Sequence, residues 1–192
     1  MMPEASLSVQ EKKILLKIAR QAIEKAVNGE PPPRINTDEL PPHLLEPGVT
    51  FVTLTAHGAL RGCIGALEAY QSLVEDVQEH AAAAALQDYR FPQVRPDELD
   101  EIEIEISRLT PPVRLDYENP EHLVGLLRPG IDGVLIRDGI HRATFLPQVW
   151  EKLPSVDEFM AHLCMKMGAP AIYWRKAKLD VYVYQVEEFH ED

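Results

Sequence analysis

The sequence predicts an α+β fold: a β-hairpin, a helix and a strand occur twice and build one curved, mostly antiparallel sheet with helices packed outside it. Three observations predict it. Three Ser-x-x-Glu capping boxes, Ser8–Glu11, Ser72–Glu75 and Ser155–Glu158, each open a helical run. Two pairs of strand-like segments meet at His57-Gly58 and at Asp138-Gly139, both turn-forming dipeptides. The same features then recur at nearly constant distance. Gly58 and Gly139 are 81 residues apart, Glu75 and Glu158 are 83 apart, and Leu99-Asp100 and Leu179-Asp180 are 80 apart. The pseudo-repeats span about 49–110 and 130–188.

Residues 1–28 form an N-terminal helical segment, with the helix proper from Ser8 to Asn28. Ile14, Ile18, Ala22 and Ala26 recur at i, i+4, and Gly29 closes the run. Residues 29–48 are a proline-rich connection, because Pro31-Pro32-Pro33 and three further prolines bar regular structure. Val49–Thr55 and Leu60–Ile64 are strands of the first hairpin. The helix opened by Ser72 runs through the alanines to about Leu86, and Phe91 to Pro96 is extended or turn-like. Ile102, Ile104 and Ile106 alternate with Glu101, Glu103 and Glu105, the pattern of a half-exposed strand. Gly133–Arg137 and Ile140–Phe145 are the second hairpin, and Pro147 starts a short helix to Lys152. The third helix carries Phe159, Leu163 and Met167 and stops at Gly168. Val181 to Val186 is a last strand, apolar on both faces, and His190-Glu191-Asp192 is a frayed tail.

With 192 residues the chain holds one large domain or two small lobes. The net charge of −12 opposes phosphate backbones and acidic membrane surfaces, so nucleic acid and membranes are not expected partners. No apolar run reaches the roughly 20 residues needed to span a bilayer. Met-Met-Pro-Glu-Ala-Ser at the N-terminus lacks the basic and apolar regions of a signal peptide. The expected location is the cytoplasm. Cys63 and Cys164 make no disulfide framework and no four-cysteine zinc site. The seven histidines are scattered, and no His-x₃-His, CxxC, EF-hand or phosphate-loop pattern exists. No metal and no cofactor is expected.

Chemistry concentrates at Leu60-Arg61-Gly62-Cys63-Ile64-Gly65. Strand alternation puts Arg61 and Cys63 on one face. Glycines within a strand mark close approach by backbone or ligand. Cys63 is either a buried structural cysteine or a nucleophile, redox-sensitive thiol or ligand contact. A nucleophile needs a base. His57 at the hairpin tip points to solvent, while His141 is placed to face the core side of the second hairpin. Arg61 needs a partner, either a carboxylate such as Glu105 or Asp88 or the anionic group of a substrate. With two-residue loops, Arg61 falls opposite Leu54 and Cys63 opposite Val52. In the second hairpin Arg142 falls opposite Leu135 and Thr144 opposite Gly133, so Arg61 and Arg142 take equivalent positions and would flank one cleft. Arg90 ends the second helix in a segment of the kind that lines sites, or simply answers the helix dipole. Glu105 lies on a solvated strand face, and Gln148 offers a polar contact or forms a structural corner.

The Leu60–Gly65 block resembles the signature of the AMMECR domain family. The resemblance extends through Asp88-Tyr-Arg90-Phe91, Glu103-Ile-Glu105-Ile-Ser107-Arg-Leu109-Thr110-Pro111, Gly130-Ile-Asp-Gly133-Val, Leu146-Pro147-Gln148-Val149 and Lys166-Met-Gly168, covering almost the whole chain. His141 and Arg142 fall outside these blocks. The resemblance implies a duplicated α+β fold with a barrel-like sheet. In bacteria and archaea the similar proteins include the A component of the so-called AmmeMemoRadiSam system, whose name links them to a Memo-like protein and a radical SAM protein as expected partners. No three-cysteine cluster motif is present, so the iron–sulfur chemistry would belong to such a partner. Two functions follow. One is an enzyme with Cys63 catalytic and Arg61, Gly62, Gly65, Arg90, Glu105, Gln148 and Arg142 binding a small anionic or modified substrate. The other is a non-enzymatic protein that binds the Memo-like or radical SAM partner.

Overall fold

The structure, a computed structural model, describes residues 6–191; Met1–Ala5 and Asp192, parts of the predicted N-terminal segment and tail, lie outside the described residues. Seventeen elements include five α-helices and eight strands among these residues. They fall into two compact units, Met1–Leu109 with Glu187–Asp192, and Thr110–Val186. Each unit has its own four-stranded sheet and its own apolar core. The single curved, barrel-like sheet is therefore not formed: among the described residues no strand belongs to both sheets, and neither sheet closes on itself.

In the first unit, helix α1 (Val9–Val27) starts at Ser8, whose capping box with Glu11 forms as the sequence requires. Strands β1 (Val49–Ala56) and β2 (Ala59–Gly65) turn at His57-Gly58, where both residues take positive φ. Helix α2 (Leu73–Leu86) has the second capping box, Ser72 with Glu75. Strand β3 (Ile102–Leu109) pairs antiparallel with β1. The chain's end returns as β8 (Val186–His190), which completes the order β2-β1-β3-β8. Alternation sorts the two faces. Val52 and Leu54 of β1 and Ile102, Ile104 and Ile106 of β3 pack against Leu15, Ala19 and Ile23 of α1 and Val74, Val77 and Ala81 of α2. The tail is anchored rather than frayed. Glu191 N–H donates to Ile104 O at 3.0 Å, and its carboxylate takes the Arg20 guanidinium, which also donates to the carbonyls of Leu99 and Ile102.

In the second unit β4 (Val113–Leu115), α3 (Pro120–Leu126), β5 (Gly133–Asp138), β6 (His141–Phe145), α4 (Val156–Met167), α5 (Tyr173–Lys176) and β7 (Asp180–Tyr184) give the order β4-β7-β5-β6. Counted from the hairpin's second strand, both sheets run second hairpin strand, first hairpin strand, strand after the helix, then one more strand. The core gathers Val134, Ile136, Phe159, Leu163 and Val181 around Trp150, whose indole stacks on Phe159 with centroids 3.7 Å apart. Three local expectations change here. The hairpin turns at Gly139-Ile140, one residue later than Asp138-Gly139 suggests, because Asp138 pairs with His141. Ser155 makes no side-chain cap, so the third capping box does not form, although Gly168 ends α4 in the left-handed region at φ 91°. The last apolar run breaks at Gln185 into β7 and β8, which join different sheets. No helix among the described residues is long and apolar enough to cross a membrane.

Candidate functional site

The site grows from the register of the first hairpin. Ala56 pairs with Ala59 and Thr55 with Leu60, as a two-residue loop demands. Between Leu54 and Thr55 the register then shifts, so that Leu54 faces Gly62 and Thr53 faces Cys63. Arg61 is the extra residue of a β-bulge. This overturns the expected pairs Arg61 with Leu54 and Cys63 with Val52. It also removes the expected equivalence of the two arginines. In the bulge-free second hairpin Arg142 pairs with Arg137, and Thr144 with Leu135. Thr144 remains the register counterpart of Cys63; Arg61 has none.

The bulge aims the Arg61 side chain at the segment that follows α2. Its Nε and Nη2 hold the two Glu98 oxygens at 3.0 and 3.1 Å, while Nη1 donates to Pro92 O at 2.7 Å and Nη2 to Gln93 O at 3.3 Å. The partner is thus Glu98, not Glu105 or Asp88. The guanidinium in turn holds the Glu98 carboxyl below its usual range. The forked geometry is the one arginine alone supplies, and here it clamps the chain's own loop. Gly62 lies where β2 passes close against α2. A Cβ at this position would stand 2.1 Å from the carbonyl oxygen of Ala84. A Cβ on Gly65 would lie 2.4 Å from the Phe51 ring.

Cys63 is half-buried and unbridged. As β2 is the outer strand of its sheet, the Cys63 backbone must find partners beyond the ladder. Asp88 and Arg90 supply them: Asp88 Oδ2 accepts the Cys63 N–H at 2.9 Å, and Arg90 Nη2 lies 3.5 Å from Cys63 O. Arg90 also grips both Asp88 oxygens, at 2.9 and 2.7 Å. The Asp88 carboxylate is almost fully buried. The Arg90 guanidinium, with the N–H groups of Cys63 and Arg90, holds it well below the ordinary carboxylate range. The thiol itself meets the Thr53 hydroxyl, Oγ1 to Sγ at 3.2 Å. On its other side Thr53 pairs with Glu105 of β3. Cys63, Thr53 and Glu105 therefore form one row across three strands on the face opposite α2. Among the described residues the Glu105 carboxylate has no hydrogen-bond or ion-pair partner.

The first unit thus brings together Cys63, Arg90, Glu105, Gly62 and Gly65, with Arg61 as their brace. Gln148 and Arg142 belong to the second unit, both exposed. His57 stands exposed at the hairpin tip against Glu101, as expected, but His141 is exposed rather than turned to a core. Neither histidine bonds to the thiol. Sequence reasoning missed Thr53, since only the bulged register puts it opposite Cys63. It named Asp88 for the wrong arginine. Among the described residues no group of three or more His, Cys, Asp or Glu is placed to hold a metal ion.

The model of the AMMECR1 family matches residues 16–189. The chain belongs to the AMMECR1 family. A protein of Methanothermobacter thermautotrophicus is 41% identical over 196 residues, covering 100% of both chains. Protein MK0488 of Methanopyrus kandleri is 37% identical, covering 97% of this chain and 91% of its own. The crystal structure of the uncharacterized protein PH0010 from Pyrococcus horikoshii superposes with a TM-score of 0.84 at 33% identity, covering 97% of this chain and 94% of that one. The AMMECR1 match spans both units, including β2 with its bulge and the Asp88–Arg90 pair.

Proposed function

We propose that this AMMECR1 protein is a thiol enzyme acting on a small anionic substrate at the face of the first sheet opposite α2. The observation that carries the reading is the row Cys63–Thr53–Glu105, with the Thr53 hydroxyl 3.2 Å from the sulfur and Arg90 beside the same strand. Each residue has a role its chemistry supports. Cys63 is the nucleophile: its half-buried thiol is the soft nucleophilic group of the row, and the Thr53 hydroxyl donates to its sulfur. Arg90 offers the substrate's anionic group a guanidinium whose Asp88 bonds fix its plane. Glu105 exchanges a proton with the far end of a substrate laid over Thr53, since two strand spacings, about 10 Å with Thr53 between, separate it from the Cys63 thiol.

The reading is tested by alkylation of the full chain with iodoacetamide at neutral pH, in a Cys164→Ser background. Cys63 should label rapidly, and Thr53→Val and Arg90→Gln should each slow it severalfold while the far-UV circular dichroism stays the same. A Cys63 that resists alkylation, or that labels at one rate in all three proteins, overturns the proposal.

A further inference from the structure

The second unit contains a cleft of about 290 Å³ that the proposed thiol chemistry does not use. Its size is at the lower end of ligand pockets, which run from about 300 Å³ upward. Segment 114–118, His122 of α3 and Lys178 line it. The floor is rigid. Tyr117 is buried, and its hydroxyl both donates to Leu179 O and accepts from Leu179 N, each at 2.9 Å. Lys178 is held over that floor, its Nζ 4.8 Å from the Tyr117 ring centroid and bonded to the Tyr117 carbonyl. An ammonium has three donors, and this bond uses one. His122 Nδ1 accepts the Glu118 N–H at 3.3 Å, which leaves its proton on Nε2 as a second fixed donor.

Asp116 and Glu118, both exposed, also line the cleft. Among the described residues neither has an ion-pair partner, and Lys178 pairs with neither of them. Arg114, at the edge, is taken by Asp180 at 2.6 Å. A cleft whose opposite charges are kept apart on one apolar floor leaves both signs open to a ligand. A simple anion would satisfy Lys178 and leave the carboxylates facing it; a simple amine would do the reverse. A small zwitterion answers both at once.

We infer that this cleft binds a free α-amino acid, its carboxylate on Lys178 and His122, its ammonium on Asp116 and Glu118, and its side chain over Tyr117. The site is independent of Cys63 and stands whether or not the thiol reading holds. Titration of the ¹⁵N-labelled full chain with L-alanine, L-leucine and L-methionine tests it, with 4-methylpentanoate and 3-methylbutylamine as the singly charged relatives of leucine. At least one amino acid should give saturable shifts at the amides of residues 115–118 and 178–179. Both singly charged compounds should bind about tenfold more weakly or worse, as should leucine to Lys178→Gln and to Asp116→Asn. Both variant positions are exposed, so the fold is not at stake. Equal binding of a singly charged relative overturns the proposal. So do variants that bind as the parent does, shifts confined to other residues, or no saturation by roughly 10 mM amino acid.

Discussion

Gly62 shows at a single residue how the Leu60–Gly65 block is built, since a methyl group there would meet the Ala84 carbonyl at 2.1 Å. Backbone cannot give way as a flexible side chain can. Gly62→Ala should therefore cost about 1–3 kcal/mol, the usual range for overpacking, seen as a lower urea midpoint. An unchanged midpoint would mean that α2 shifts freely on the sheet. Around it, Arg61 clamps the loop, Ile64 packs on the core and Gly65 makes room for Phe51. The Cys63 side chain is what these packing duties leave over. Sequence alone marked the block, because glycines flanking a thiol and a guanidinium within a strand are conspicuous. It gave Arg61 the wrong carboxylate, because Glu98 is 37 residues away and no periodicity links the two. Thr53 was invisible for a related reason: its place opposite Cys63 depends on a bulge that has no signature in the letters.

At the scale of elements, strand β2 is an edge finished by side chains. Asp88 and Arg90 bond to the Cys63 backbone as a neighbouring strand would. This makes the edge sensitive to acid in a definite direction. The Asp88 carboxyl is held well below its usual range, first by Arg90 and then by the N–H groups of Cys63 and Arg90. Its folded pKa is thus depressed. The stability it contributes is complete above the unfolded value of about 3.9 and is lost as the pH falls from there through the folded value. The urea midpoint of the parent protein should drop more steeply between pH 5 and pH 2 than that of Asp88→Asn, and the two should run parallel above pH 5. Parallel curves throughout would show that this carboxylate is not linked to folding. The helices were legible where capping and spacing agreed, as in α1 and α2. Ser155 had the letters of a capping box without its bonds, because a box needs side-chain geometry as well as spacing. The last strand was legible in extent and not in partnership: two consecutive segments serve different sheets, and sheet membership is a long-range choice.

For the whole molecule, repeated spacings of about 80 residues correspond to two sheets with matching strand order, each over its own core. The expected single curved sheet fails because the chain's end goes back to the first sheet as β8, while β4 takes the corresponding outer place in the second. Both tryptophans, Trp150 and Trp174, are buried in the second core. Phe159, stacked on Trp150, is fully buried there. Phe159→Ala should cost about 3–5 kcal/mol. Tryptophan fluorescence should then report unfolding at lower urea than far-UV circular dichroism, which averages over both units. Coincident transitions in the variant would show that the two cores melt as one cooperative body.

The bulge at Arg61 has a consequence for how such a chain tolerates change in length. From Thr53 to Cys63 the first hairpin has one residue more than the second has from Leu135 to Thr144, yet both end on a directly opposed pair. The surplus residue is absorbed where it stands, so everything beyond it keeps its place. Arg61 is in this sense a graft: a clamp spliced into an ordinary hairpin without disturbing its reading frame, leaving the thiol where a plain hairpin would already have put it.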